Sequence, residues 1–256
     1  MNTNDKYNDK SIKKINVVKN SAGIIIFSND FQRVILIRKR FTYSYFDFVI
    51  GKYNRTNKTY LIKLFNNMTV AEKLIILSLN FEHIWYHIFL TTEKSNDYYK
   101  YYTKFYNAFL LNNNIKLLKS LIISSSNNTS LLWEPPKGRK KNKESNINCA
   151  IREVTEETKI NQDLYKIIPN YKYKRSIVEN NIKYNTIYYV AKCKYKNIIS
   201  NIHLGSTLQI SEIDKIDNIS IKYINTVSLS NDIKKFIIFI YKKMNAYNDK
   251  KKITNI

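Results

Sequence analysis

Acidic residues are scarce in this chain: 20 stand against 43 Lys and Arg, a formal net charge of +23. A chain this basic repels itself unless an anionic partner compensates it. Nucleic acid is the first candidate for that partner, and an anionic membrane surface the second. A competing explanation is compositional drift toward Lys, Asn, Ile and Tyr under AT-rich coding, which the scarcity of Gly (4) and Pro (3) also fits. Cysteine is nearly missing. Cys149 and Cys193 lack the paired spacing of a structural zinc site, so both are expected to be free, buried thiols in a reducing compartment. Long apolar runs are missing as well. The longest, LIILSLNFEHIWYHIFL from Leu74 to Leu90, contains Glu82, His83 and His87 and is shorter than the ~20 residues a membrane span needs. It reads as a buried helix of a soluble protein. The first residues, MNTNDKYNDKSIKK, are polar and carry no secretory leader. A cytoplasmic, non-secreted protein is therefore expected.

What is present excludes global disorder: 44% of the residues are hydrophobic, enough for a packed core. Residues 1 to about 17 read as a mobile arm and the tail KKITNI as loose. Between them, SAGIIIFS (Ser21 to Ser28) and RVILIRKR (Arg33 to Arg40) are β-branched runs joined at Asn29-Asp30, which predicts a strand pair. From about Tyr45 to Asn128 the texture changes. Gly and Pro almost vanish, and Leu, Ile, Phe and Tyr recur at helical spacing. Thr69 can cap a helix running AEKLIILSLNFEHIWYHIF, and Ser95 or Asn96 another running DYYKYYTKFYNAFLLNN. Strand patterns return at LLWEPPKG, followed by a helix over about Asn146 to Thr158. A hairpin is expected next, turning near Glu179-Asn180-Asn181, and a last helix from about Ser230 to Tyr247.

The chemistry concentrates in GRKKNKESNINCAIREVTEETKI. Gly138 is followed by Glu144, then by Arg152-Glu153 and Glu156-Glu157. On a helix Glu153, Glu156 and Glu157 stand at i, i+3 and i+4 and share a face. Three like charges there cost free energy unless a cation lies between them, and hard oxygen ligands suit Mg2+ or Mn2+. Ala150, Ile151 and Val154 give that helix an apolar side for docking on a sheet, and Arg152 can pair with a neighbouring carboxylate. A bare Glu-rich helix is usually only a solvated surface. The full spacing from Gly138 to Ile160 is far more specific, and it resembles the Nudix box.

That resemblance implies an α/β fold: a Nudix α/β/α sandwich with a mixed sheet, hydrolysing a nucleoside diphosphate linked to another group with bound metals. It carries Glu153, Glu156 and Glu157 over as metal ligands, with Gly138 and its Pro-Pro-Lys-Gly loop close to the metal. Glu144 carries over as a supporting residue of the box. Lys159 stands where the family has a helix-capping Gly. Members often add a carboxylate from a later loop; SEIDKI offers Glu212 as ligand or general base, and Glu179 is its rival. The catalytic set so implied is Glu153, Glu157, Glu212 and Glu144.

The box begins over a hundred residues after SAGIIIF, so the helical stretch is an insertion. The expected domains are 1–45 with 129–256 as the catalytic unit and 46–128 as an inserted helical domain. Lys52, Arg55, Lys58 and Lys63, among interleaved aromatics and with Lys100 and Lys104 further on, suit single-stranded RNA. Trp85, Phe89, Phe105 and Phe109 read instead as the insert's own core. The layout is similar to the mRNA-decapping Nudix enzymes of poxviruses and other large cytoplasmic DNA viruses. That likeness implies capped RNA as partner and release of 7-methyl-GDP and 5′-monophosphate RNA. It also implies aromatic rings around the cationic cap base. Tyr43 fits best, with Phe41 and Tyr45 adjacent, and a second ring from Tyr184, Tyr188 or Tyr189. Two alternatives stay open. One is a Nudix hydrolase of diphosphoinositol polyphosphates or dinucleoside polyphosphates. The other is a non-catalytic RNA-binding protein, against which the intact glutamate set argues.

Overall fold

The computed structural model describes residues 17–127, 129–179, 181–195 and 207–253. The expected N-terminal arm and the end of the tail lie outside the described residues. The first two strands, β1 (Val17–Phe27) and β2 (Arg33–Lys39), are joined where expected. The Asp30 carboxylate holds the turn, accepting from Ser28 Oγ at 2.6 Å and from the Gln32 N–H at 3.0 Å.

A run of helices follows: α1 (Tyr43–Val49), α2 (Lys58–Asn66), α3 (Val70–Leu77), α4 (Phe81–Phe89), α5 (Asn96–Phe105) and α6 (Ile115–Ile123). The first five start on side-chain caps: Thr42, Asn57, Thr69, Asn80 and Ser95 each accept from the third N–H of the helix they open. Thr69 and Glu72 form a full capping box. The buried Glu72 carboxylate also accepts from the Thr42 N–H at 2.6 Å, so one side chain ties the caps of α1 and α3 together. The run from Leu74 to Leu90 is not one helix. Leu79 adopts φ 59°, Asn80 caps a new start, and the break lets Ile76 of α3 and Ile84 of α4 face the same core. The helix begun at Ser95 likewise ends as such at Phe105. It continues as a π turn over Tyr106–Leu110 and a 3-10 turn broken by Asn112 at φ 54°. Phe48 centres the core of this helical stretch, with Tyr53, Phe65, Phe105 and Phe109 around it. Trp85 is buried with them and Phe89 packs at the edge.

The chain then returns to the sheet with β3 (Trp133–Glu134) and β4 (Lys137–Arg139), followed by α7 (Asn146–Thr158), β5 (Tyr165–Glu179), β6 (Ile182–Cys193), α8 (Thr207–Glu212), β7 (Ile213–Ser220) and α9 (Asn231–Ile253). Strand alternation sends Ala22, Ile24, Ile26, Ile35 and Ile37 to one face, where α7 covers them with Cys149, Ala150 and Val154. Ile25, Phe27, Val34 and Leu36 go to the other, under Ile233, Ile237 and Ile240 of α9. Burial on both faces is why β1 and β2 read as unbroken apolar runs. The result is the expected α/β/α sandwich.

The sheet is mixed: β6 runs parallel to β1, and the other described pairs are antiparallel. One irregularity positions the site. β1 and β2 pair only at Ile26–Ile35 and Phe27–Val34, then part. Two short strands fill the wedge, β3 against Ile37 and Arg38 of β2, and β4 against Ser21–Gly23 of β1. Gly23 permits this closeness, because a Cβ there would overlap the Pro136 carbonyl. Among the described residues, no helix is long and apolar enough to cross a membrane.

Helix α7 ends at Lys159, which takes the left-handed conformation, φ 59° and ψ 14°, and donates its N–H to Thr155 O at 3.0 Å. A side chain in that conformation costs about 1 kcal/mol that glycine avoids. Lys159→Gly is therefore expected to raise stability by up to about 1 kcal/mol without touching activity, a gain that urea unfolding measures.

Candidate active site

Ser145 opens α7 by accepting the Asn148 N–H at 3.1 Å. Its apolar side is pinned to the sheet by Ala150 and Val154, both fully buried, which turns the acidic side toward the wedge. Arg152 organises the outer half of that acidic side. Its guanidinium forks onto Glu144, Nε to Oε1 at 2.8 Å and Nη2 to Oε2 at 3.0 Å. From that anchor Nη1 reaches Glu153 at 2.6 Å and Glu156 at 2.8 Å, and Nη2 reaches the Arg139 carbonyl at 3.0 Å. Glu144 also accepts the Lys141 N–H, and with Arg152 first among the causes its carboxyl is lowered to about 2. Glu153 moves the other way, raised by burial against the pull of Arg152. Its carboxylate lies directly on Gly138, where a Cβ would overlap it.

Glu157 faces inward, into a second cluster. Alternation along β2 continues the face of Ile35 and Ile37 to Lys39, which brings its ammonium under α7. Lys39 Nζ lies 2.9 Å from Glu157 Oε1, 3.5 Å from Glu134 Oε1 and 3.7 Å from Glu212 Oε2. The other Glu157 oxygen accepts the Lys137 N–H at 2.8 Å. Burial pushes the Glu157 carboxyl up to about 7, with Glu134 adding to it and Lys39 opposing. Lys39 stays charged: burial works against it, but Glu157 and Glu134 outweigh that and raise its pKa. Glu134 is buried, holds Lys137 Nζ at 2.9 Å and accepts from Tyr43 Oη at 3.2 Å. Behind α7, Gln209 donates its amide to the Glu157 carbonyl at 2.9 Å and links α8 to the end of the box helix.

Five of the expected residues thus gather here: Glu144, Glu153, Glu156, Glu157 and Glu212. Gly138 lies under Glu153, and its carbonyl accepts from Cys149 Sγ at 3.6 Å. Glu212 ends α8, with its side chain exposed toward Lys39. Glu179 is elsewhere, paired with Ile182 at the far end of the β5–β6 hairpin. Among the described residues, no group of three acidic, His or Cys side chains stands ready to hold a metal ion. Cations, Arg152, Lys39 and Lys137 among them, lie between the carboxylates instead. The donor chemistry still fits a hard divalent ion: carboxylate oxygens arranged around positive charge, on a glycine that leaves Glu153 its room.

Tyr43 has an open ring, 55% exposed, while its hydroxyl turns inward to Glu134, so burial raises the phenol's pKa although the ring is accessible. Tyr45 and Tyr188 are fully buried and present no face for stacking, which removes both as cap-contact alternatives. Phe41 stacks on Phe46, and Tyr189 packs against the α7 face of the sheet. Tyr184 lies four residues along β6 from Tyr188, roughly 13 Å at strand rise, with Lys19 over its ring. Lys52, Arg55, Lys58 and Lys63 are exposed on α2 and the loop before it, Lys52 in an ion pair with Asp47.

Lys39, Glu134, Lys137 and Gln209 escaped the sequence reading as site residues. For Lys39 a signal existed, because the parity of ILIRK puts it on the same face as Ile35 and Ile37. Glu134 and Gln209 had none: Glu134 pairs with nearby Lys137 but joins the site through distant Lys39, and Gln209 joins it through distant Glu157.

A NUDIX domain family model matches residues 106–211. The mRNA-decapping protein g5R of African swine fever virus (isolate Warthog/Namibia/Wart80/1980) is 38% identical over 206 residues, 78% of this chain and 84% of that protein. A putative mRNA-decapping protein of Acanthamoeba polyphaga mimivirus is 28% identical over 200 residues, 68% of this chain and 53% of that protein. A solved C. elegans Ap4A hydrolase binary complex aligns over 90% of this chain and 98% of its own, with a TM-score of 0.43 and 12% identity. The family match starts within the helical stretch, yet the sheet it belongs to is completed by β1 and β2, which precede that stretch. By that match, and by an identity with g5R that spans most of both chains, this chain belongs to the Nudix family.

Proposed function

We propose that the chain is an mRNA-decapping hydrolase, cleaving the 5′ cap of RNA to release 7-methyl-GDP and 5′-monophosphate RNA. One observation carries this reading: the 38% identity to an mRNA-decapping protein covers 78% of this chain, too much to be confined to the box. Capped RNA is then the partner, met in the cytoplasm. Residues 1–45 and 129–256 form the catalytic unit in this reading, and 46–128 the inserted module that holds the RNA body.

The Nudix family is typically dependent on a divalent metal. Here Glu153, Glu156, Glu157, Glu212 and the Gly138 carbonyl would hold Mg2+ or Mn2+, which when bound supplies charge stabilisation at the phosphorus and a more acidic water. The chain's own residues do the rest. Glu144 braces Arg152, and Arg152 keeps Glu153 and Glu156 aimed into the wedge. Lys39 neutralises the buried Glu157–Glu134 pair and can bind a phosphate oxygen of the cap bridge. Glu212, exposed beside Lys39, is placed to take the proton of the attacking water. Tyr43 offers its open ring to the methylated base, a cation against a π face. Tyr184, with Lys19 on its ring, is the remaining candidate for the opposite side.

Cap-labelled long RNA tests this against free cap analogue and a diphosphoinositol polyphosphate. Capped RNA should be turned over fastest, with an affinity that falls steeply as salt rises. Replacing Lys52, Arg55, Lys58 and Lys63 by Ala should flatten that dependence, by about 0.7 in log–log slope for each phosphate of a single strand that is no longer neutralised. Equal turnover of the small molecules would favour a small-molecule pyrophosphatase, and RNA binding with no turnover a non-catalytic role.

A further inference from the structure

Arg40 follows the last residue of β2 and is the point where the helical stretch and Glu212 meet. Its side chain reaches two helix ends that have no covalent reason to be together. Nη2 donates to the Ile88 carbonyl at 2.6 Å, in the last turn of α4, and Nε donates to the Ser211 carbonyl at 3.1 Å, in the last turn of α8. The Arg40 backbone N–H adds a bond to the Glu212 carbonyl at 3.0 Å. Helix ends leave their final carbonyls without intrahelical partners and carry partial negative charge, so one guanidinium satisfies both and interacts favourably with both dipoles. Its surroundings keep it in place. The Phe41 ring lies 5.5 Å from the guanidinium carbon, and Asp214, Tyr45 and Tyr86 face its charge, with His87 close by on α4. A lysine carries all its N–H donors on one nitrogen and lacks the rigid planar fork whose separate nitrogens, Nε and Nη2, reach the two carbonyls here.

We propose that Arg40 is a positioning residue for the reaction: it clasps the C-terminal end of α4 to that of α8 and so sets Glu212 beside Lys39. The inference rests on the role of Glu212 in the proposed hydrolysis. A consequence is that anything which moves α4, including RNA seated on the helical module, is transmitted to Glu212 through one side chain.

The test combines kinetics with hydrogen exchange on the full-length protein. Arg40→Ala should lower kcat for 7-methyl-GDP release by about tenfold, the size of a supporting-shell loss, with KM for capped RNA little changed. Glu212→Gln should lower it too, and the double variant should be no slower than Glu212→Gln alone, because Arg40 acts through Glu212. Amide exchange in Arg40→Ala should rise together at Phe89–Leu90 and at Glu212–Ile213, with α7 and α9 unchanged. Multiplicative losses in the double variant, or exchange unchanged at both helix ends, overturn the clasp. If the wild type releases no 7-methyl-GDP, it is the decapping reading that fails, and the exchange measurement decides the clasp by itself.

Discussion

Glu157→Gln should all but abolish divalent-ion-dependent release of 7-methyl-GDP from cap-labelled RNA while leaving the protein folded. The substitution removes one charge and almost no volume. It keeps an acceptor for the Lys137 N–H, and Lys39 retains Glu134 at 3.5 Å. What it removes is the one buried carboxylate of the box, and with it the hard ligand proposed at that position. Losing about 4 kcal/mol of transition-state charge stabilisation corresponds to a rate lower by about a thousandfold. A stability signature should accompany the loss. The Glu157 pKa is raised by folding from 4.5 to about 7, so the folded state prefers the protonated carboxyl. Without divalent ion, wild-type stability should therefore fall as pH rises through that window, and the variant should lack that component. A Glu157→Gln enzyme of wild-type rate would sink the ligand assignment.

Gly138→Ala should separate activity from stability even more sharply. A Cβ at this position overlaps the carboxylate of Glu153, not a backbone atom. Gly138 has no positive φ, so its backbone accepts alanine without strain. The overlap is relieved by swinging the end of Glu153, which breaks its bond to Arg152 and takes it out of the wedge. Stability should change by no more than about 1 kcal/mol, whereas turnover should fall about a hundredfold. Thermal melting and single-turnover decapping on the same preparation check both numbers. A large fall in melting temperature with activity per folded molecule preserved would show that Gly138 serves the fold and not the site.

The parts of this molecule legible in its sequence are those where local pattern and tertiary environment agree. The β-branched runs of β1 and β2 announced a strand pair, and the pattern over about Asn146 to Thr158 announced α7 as observed. The box glutamates were found because one helix carries them. The breaks at Leu79 and Asn112 were not legible as chain reversals. Left-handed positions usually advertise themselves with glycine, and here leucine and asparagine occupy them, with the core repaying the strain. Lys159 belongs to the same class: the helix ends in glycine's conformation without glycine. The inner half of the site was hidden for another reason. Lys39 and Gln209 reach Glu157, and Glu134 reaches Lys39, across long stretches of chain; strand parity gave the face of Lys39, but nothing in the local sequence named these partners.

The wedge between β1 and β2 also bears on when the site comes into being. One of its edges is β2, which ends at Lys39, and the strand that fills it there is β3, which begins at Trp133, with helices α1 to α6 strung between them. The Lys39 N–H bonds the Leu132 carbonyl at 3.0 Å, so the two ends of that long excursion touch. Closing so long a loop from a disordered chain is entropically costly, whereas helix contacts between sequence neighbours form fast. Folding of the helices shortens the gap and delivers β3 to β2. Glu134 is therefore expected to reach Lys39 only after the helices have folded, so that the proposed site should be the last part of the chain to assemble.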